Sequence, residues 1–277
     1  MAAGHFDISF SSQTMKLGRQ VALSEARKPS SHSPVCLLVY ATQNGWKPTI
    51  LMEEMGQPYD YALVDFAKNE QKSDAFLKIN PNGRIPALID REAGVDVAES
   101  AVILEYLAMK FKSPLLPPPE GDSLALHLKV RQWVAWQISG LGPMMGQAMY
   151  FQRIAAVKGQ KDDFAIGRFR AEGDRLLKML DDLLKETGGP FLLGQHVTLA
   201  DVACFPYCAS AYWANIELSD KPHLSAWLDM LHERPSFARG LTIPFARPAF
   251  FGPPRATQQE IDEEIARNAG QFKVVTK

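Results

Sequence analysis

The stretch 113–123 (SPLLPPPEGDS) constrains this chain more than any other. Four of its eleven residues are proline. Proline has no N–H to donate and a fixed φ, so neither a helix interior nor a sheet ladder runs through such a segment. The two sides of the break also differ in period. Before it, short apolar runs alternate with helical spacing; after it, only helical spacing recurs. The chain therefore reads as an α/β domain, a linker and an all-helical domain.

In the first part, residues 35–40 (VCLLVY) form a continuous apolar run, as expected of a strand buried on both faces. Helical spacing follows over 46–55, with Ile50, Leu51 and Met55 on one side. Asn44 is placed as its N-cap, Pro48 falls in its first turn, and Gly56 ends it. Further strands are expected at 59–64, 85–90 and 95–97, and helices at 75–79 and 100–111. A parallel crossover, then a hairpin, then a last helix is the thioredoxin-like arrangement. Residues 1–34 are rich in Ser with little periodicity, and read as an extension, partly disordered or draped over the body.

Beyond the linker, residues 124–151 predict one long amphipathic segment interrupted at Gly142-Pro143, and 164–187 predict another. Thr198-Leu199-Ala200-Asp201 is a capping box, with Val197 and Val202 as a hydrophobic staple. The helix that starts there runs to about Tyr212 and is nearly all apolar, hence central. A further helix is expected at 223–233. The expected boundaries are an extension 1–34, a thioredoxin-like domain 35–112, a linker 113–123, a helical domain 124–246 and a tail 247–277.

Composition narrows function by exclusion. The 277 residues are 46% hydrophobic and 22% charged, ordinary for a soluble globular protein with room for two cores. The net charge of −1 gives no footprint for nucleic acid. No apolar run reaches the length of a membrane span, and the start has no secretory h-region, so the cytoplasm is expected. The three cysteines, Cys36, Cys204 and Cys208, fit a reducing compartment. Cys204 and Cys208 share a helix face without a His or Asp cluster beside them, and read as buried thiols rather than a metal site. His127 and His196 read as structural or exposed. No C-x-x-C, H-E-x-x-H or phosphate loop occurs, so a protein dithiol, zinc and nucleotide chemistry are all disfavoured.

Residues 80–88 (NPNGRIPAL), Glu99-Ser100 before the third helix, and the capping box at Thr198 together resemble the glutathione-transferase superfamily. Residues 42–47 (TQNGWK) and 133–147 (WVAWQISGLGPMMGQ) resemble its nu class, which holds bacterial disulfide-bond reductases and the fungal nitrogen-regulator prion relatives. Gln43, where that class usually has Pro, and Pro48 depart from the pattern. The resemblance implies a homodimer that binds glutathione as co-substrate, needs no metal, and acts on a small electrophile or a disulfide. It also admits a binding or regulatory protein with little turnover, or a biosynthetic transferase dedicated to one metabolite.

The resemblance assigns roles residue by residue. Ile85-Pro86, with Pro86 cis, would offer Ile85's backbone to the cysteinyl unit like an added strand. Ser100, at a helix start, would hold the γ-glutamyl carboxylate, and Glu99 would pair the ligand's ammonium. Arg84 and Gln71 are candidates for the glycyl carboxylate, although Gln71 fits a plain loop residue equally well. Thr42 and Asn44 would stabilise the thiolate. Lowering a thiol pKa of ~8.5 by about two units needs roughly 2.7 kcal/mol, and one hydrogen bond to a charged group supplies roughly 1.5–3 kcal/mol. An ordinary N-cap remains the other reading of Asn44. Met144, Met145, Met149 and Phe151 would line a hydrophobic substrate pocket or else be plain core, and for Trp133 and Trp136 core is the better reading. Arg168 would reach the partner's glutathione, or else be a solvated charge on a long helix.

Overall fold

The computed structural model describes residues 17–271, and side chains as far as Asn268. Five strands form one sheet: β1 (Gly18–Val21), β2 (Val35–Val39), β3 (Tyr59–Leu63), β4 (Ala87–Asp90) and β5 (Val95–Ala98). Their spatial order is β1-β3-β2-β4-β5. β1 and β2 run parallel to β3, β4 is antiparallel to β2, and β5 closes a hairpin with β4.

Every residue of β2 is buried, because both faces of the sheet are covered. Val35, Leu37 and Val39 face a core shared with α1 (Trp46–Met55). Cys36 and Leu38 face the other way, onto Phe76 of the short α2 (Asp74–Leu77). α1 has no solvent face over its first eight residues, contrary to the one-sided pattern expected. It lies between the sheet, α3 (Ser100–Lys110) and the second domain, so even Lys47 and Glu53 are buried. Pro48 leaves it unbroken, since the first turn has no intrahelical acceptors to lose.

β1 falls within the segment expected to be an unpatterned extension; residues 1–16 lie outside the described residues. The strand is short and half exposed, so burial imposes no apolar alternation on it. Its hold is electrostatic. Arg19 Nε (2.7 Å) and Arg91 NH1 (2.7 Å) flank the fully buried Asp60 carboxylate. Burial alone would raise the Asp60 pKa, but hydrogen bonds from Arg19, Ser30 and Arg91 outweigh it and hold the group below its ordinary value. This contribution to stability is complete above the unfolded carboxylate pKa and is lost as pH falls through the lower folded value. Asp60→Asn is expected to cost about 3 kcal/mol. Urea melts at pH 7 would read that loss, and the difference from wild type should shrink in acid.

The linker is tied down through buried Leu115, whose carbonyl accepts from Leu199 N at 3.0 Å. The helical domain comprises α4 (Leu124–Trp136), α5 (Gly142–Met149), α6 (Asp163–Thr187), α7 (Leu199–Ala209), α8 (Pro222–Glu233) and α9 (Pro235–Gly240). Gly142-Pro143 does not interrupt the first segment as expected. A π-helical stretch, Gln137–Leu141, precedes it, so the chain stays helical from Leu124 through the second π stretch, Tyr150–Ala155. Pro143 comes just after the first π-helical stretch, so its missing N–H falls where the regular i→i−4 ladder is already broken. α7 is buried along its whole length and carries the expected capping box. Gly240 of α9 lies so close to α1 that a Cβ there would meet Ile50 Cα at 2.6 Å. α10 (Gln258–Gln271) ends the described chain.

Candidate functional site

Sheet register gathers three sequence-distant segments at one end of the sheet. Leu38 of β2 pairs with Ala87, and Ala87 pairs with Ala98 of β5. The loop after β2 (41–45), the residues before β4 (84–86) and the residues after β5 (99–100) therefore lie side by side.

In the loop, Thr42 Oγ1 accepts from Gly45 N at 3.2 Å, and Trp46 N bonds Thr42 O at 2.9 Å. The N-cap of α1 is Gly45, without a side-chain cap, and Thr42 Oγ1 fastens the turn leading into it, which corrects the N-cap expectation for Asn44. The Asn44 side chain lies near the Tyr207 hydroxyl of α7 and pulls its pKa downward against burial. Gly45 is required by proximity: a Cβ would sit 2.0 Å from Tyr40 O. Gln43 donates to Ser210 Oγ at 3.0 Å, so this departure from the expected Pro ties the loop to the end of α7.

The Ile85-Pro86 peptide is cis, as expected. Ile85 is half-buried and lies outside the ladder, which begins at Ala87. Arg84 is exposed, and its charge acts on Tyr207. Gln71 donates to Asn69 Oδ1 at 2.9 Å and leaves Oε1 buried without a partner. The group it offers is therefore an acceptor, which suits a ligand N–H better than the glycyl carboxylate.

Glu99 is exposed and has φ 69, a left-handed conformation uncommon outside glycine. That twist places Ser100 as the first residue of α3, buried, with helix N–H groups beside it. Ser100 Oγ accepts from Lys47 Nζ at 3.2 Å, and the same ammonium donates to Gln137 Oε1 at 2.5 Å. It also stands 5.5 Å from the centre of the Tyr207 ring. Burial pushes Lys47 down to about 7, against the opposing influence of Cys204 and Glu99. Tyr207 is pushed up to about 12, again by burial first.

The tail returns to the same loop. Arg247 is buried; its NH1 donates to Ala41 O at 2.6 Å, and NH2 meets Glu264 and Asn268 of α10. Its guanidinium lies 4.6 Å from the Phe250 ring, and Phe250 and Phe251 in turn pack on Trp46.

The four residues expected to line one hydrophobic pocket separate. Met145 and Met149 are buried in the main core, with the Met145 sulfur close against Gly173. Met144 and Phe151 stay half-buried, and Phe151 stacks on Phe169 with ring centres 5.6 Å apart. Met145 and Met149 are four residues apart and share one face of α5, whereas Met144 is on the next face and Phe151 lies in the second π-helical stretch. Arg168 is exposed on α6 near Glu172. Cys36 is pushed up to about 12 by burial, and Cys204 and Cys208 are raised further by the same cause. His127 is tied to Pro117 O at 2.7 Å, and His196 is exposed. A separate cleft of about 710 Å³ opens at the other end of α1, near Met55, Phe111 and Val197; His196 lines it, but Thr42, Asn44, Ile85, Glu99 and Ser100 do not.

Sequence reasoning missed Lys47, Gln137, Tyr207 and Arg247. For Lys47 a signal existed: a cation in the first turn of a helix opposes the dipole, so something else must favour it there. The other three depend on contacts 90 or more residues apart, such as Lys47 with Gln137, 90 positions on.

A thioredoxin-like sheet joined to an all-helical domain, with a cis-proline loop beside the loop after β2, defines the architecture of the glutathione transferases. Comparison with known proteins agrees. The family models described as "Glutathione S-transferase, N-terminal domain" and "Glutathione S-transferase, C-terminal domain" match residues 34–109 and 150–239. The disulfide-bond oxidoreductase YfcG of Escherichia coli is 34% identical over 72% of this chain and 91% of its own length. Protein URE2 of Eremothecium gossypii is 28% identical over 72% of this chain and 64% of its own. A glutathione transferase of Burkholderia graminis, solved with two glutathione molecules per subunit, superposes with a TM-score of 0.71 at 34% identity, covering 78% of this chain and 91% of that one. The chain belongs to the glutathione S-transferase family, and these relatives agree with the nu-class resemblance of residues 42–47 and 133–147.

Proposed function

We propose that this chain binds glutathione, stabilises its thiolate, and uses it to reduce a disulfide or to conjugate a small electrophile. The observation that carries the reading is the convergence of Thr42, Asn44, Ile85-Pro86 and Glu99-Ser100 at one end of the sheet. Ile85 pairs the cysteinyl unit, Ser100 and the α3 N-terminus take the γ-glutamyl carboxylate, and Glu99 takes the ammonium. Arg84 is the cation for the glycyl carboxylate, and Gln71 serves a ligand N–H. Thr42 caps Gly45 with its oxygen and keeps its hydroxyl proton for the sulfur. Asn44 offers its amide N–H groups to the thiolate from a place beside the Tyr207 hydroxyl. Met144 and Phe151 are the members of the methionine-rich segment left to meet a second substrate.

The working form is a cytoplasmic homodimer. No helix among the described residues is long and apolar enough to cross a membrane. Val102 and Met109 on α3 and Leu124 and Leu128 on α4 are exposed apolar side chains on helices joined by the Arg131–Glu105 pair. Phe164, 79% exposed, lies one turn before Arg168, the residue proposed to reach the partner's glutathione. Sedimentation as a monomer at micromolar concentration would remove that role for Arg168.

Millimolar glutathione is expected to raise the thermal midpoint, because a ligand of the native state stabilises it by mass action. Glu99→Ala should weaken binding without unfolding the chain, since Glu99 is exposed. Absence of any midpoint shift or calorimetric binding would overturn the reading. Turnover with a model disulfide against an aryl halide then separates reductase from transferase. A second reading, a binding protein with little turnover, is favoured by the likeness to protein URE2, and binding without turnover on either substrate would support it.

A further inference from the structure

Lys47 is a buried cation without an anion. Its side chain is 1% exposed, and among the described residues no carboxylate pairs with it directly. It sits in the first turn of α1, where the helix dipole repels positive charge. Its hydrogen-bond partners are neutral: Ser100 Oγ at 3.2 Å and Gln137 Oε1 at 2.5 Å. An uncompensated buried charge is costly enough that such a group gives up its proton or acquires a counter-ion. The one nearby place built for an anion is the start of α3, where Ser100 and free helix N–H groups lie together.

We infer that Lys47 supplies the positive charge for the γ-glutamyl carboxylate, acting through Ser100, and takes up a proton from solvent when that carboxylate arrives. The inference rests on the glutathione-binding reading above and adds a positioning residue to it. Ser100 accepts from the ammonium, so its own O–H points away from Lys47 and is free to donate to the ligand. Gln137 belongs to the helical domain, so the ammonium also ties that domain to the anchor when charged.

The surrounding groups leave Lys47 as the one that titrates. Burial brings it to about 7 in the free protein. Facing it from α7, the Cys204 thiol is raised and the Tyr207 phenol is raised to about 12, so both stay neutral near pH 7. From the residue before α3, Glu99 is exposed and favours the charged ammonium. A carboxylate bound at Ser100 adds a second and closer negative charge, which raises the Lys47 pKa again. Binding then consumes protons, and affinity falls as pH rises above neutrality.

The test uses S-methylglutathione, which has no thiol proton to release. Titration calorimetry of the full-length protein at pH 7.5, in phosphate and in Tris, gives the protons exchanged from the buffer dependence of the heat. The expected wild-type result is uptake of about half a proton or more per site. Lys47→Met should abolish that part of the uptake and weaken binding by about tenfold or more. Because Lys47→Met empties a buried site and can fail to fold, Gln137→Glu is the second variant. It gives the ammonium a permanent carboxylate, so binding should persist with the uptake much reduced. Any contribution from the ligand's own ammonium is common to all three proteins, and the differences carry the result. Wild-type binding without proton uptake overturns the role of Lys47 alone, as does unchanged uptake in either folded variant. Failure of the wild type to bind S-methylglutathione overturns the glutathione reading itself, and this inference with it.

Discussion

Asn44→Ala is expected to lower kcat/KM with glutathione by 10- to 100-fold, the equivalent of roughly 1.4–2.7 kcal/mol of transition-state stabilisation. The loss is expected because the protein has no thiol of its own for the reaction. Cys36 faces α2 on the far side of the sheet, and Cys204 and Cys208 lie within the buried α7. All three are fully buried, and burial holds each in its neutral, unreactive form. On the proposed reading, glutathione then brings the nucleophile and the loop after β2 stabilises it as an anion. Removing the Asn44 amide should move the apparent thiol pKa of the pH–rate profile about one to two units up, toward ~8.5. A variant with Cys36, Cys204 and Cys208 all replaced by Ala should keep most of its turnover, apart from loss through a loosened core. Steady-state kinetics on both folded proteins decide the matter. A dead cysteine-free enzyme beside a normal Asn44→Ala would show that a protein thiol reacts.

Arg247→Met should produce the largest loss of stability, about 3 kcal/mol or more. The arginine is buried, bridges Ala41 O to α10, and is the buried partner of the equally buried Glu264. Without it, Glu264 keeps only Arg267 at 2.9 Å and the Asn268 amide at 2.6 Å. A thermal midpoint lower by about 6–12 °C is expected for a chain of this size. Limited proteolysis under native conditions should then cut first beyond residue 247, because Arg247 fastens the tail to the loop. Arg247→Met combined with Glu264→Leu should recover much of the loss, as replacing both members of a buried pair by apolar groups often does. If the double variant is no better than the single one, the stranded-charge account of the loss is wrong.

Much of this protein was legible in its sequence. The apolar run 35–40, the Pro-rich break and the capping box at Thr198 pointed to two domains of different class, because each is a local pattern tied to a local geometry. The cis Pro86 loop and Glu99-Ser100 were legible for the same reason: a few adjacent residues carry the feature. Register then brought those segments together as the thioredoxin-like order implies. Other features were decided only in three dimensions. β1 carries no apolar pattern, and its place at the edge follows from Arg19 finding Asp60, 41 residues on. The N-cap of α1 fell to Gly45 rather than Asn44, whose side chain instead comes near Tyr207 in the other domain. Met145 and Met149, four residues apart on α5, share the face that packing turned into the core, while Met144 lies on the next face round. Lys47 reads locally as one residue of a helical turn, and Arg247 as one basic residue in a tail. Only packing buries both charges beside the expected glutathione site. Burial is a property of neighbours far along the chain, and it turns an ordinary lysine into a group that titrates near neutrality.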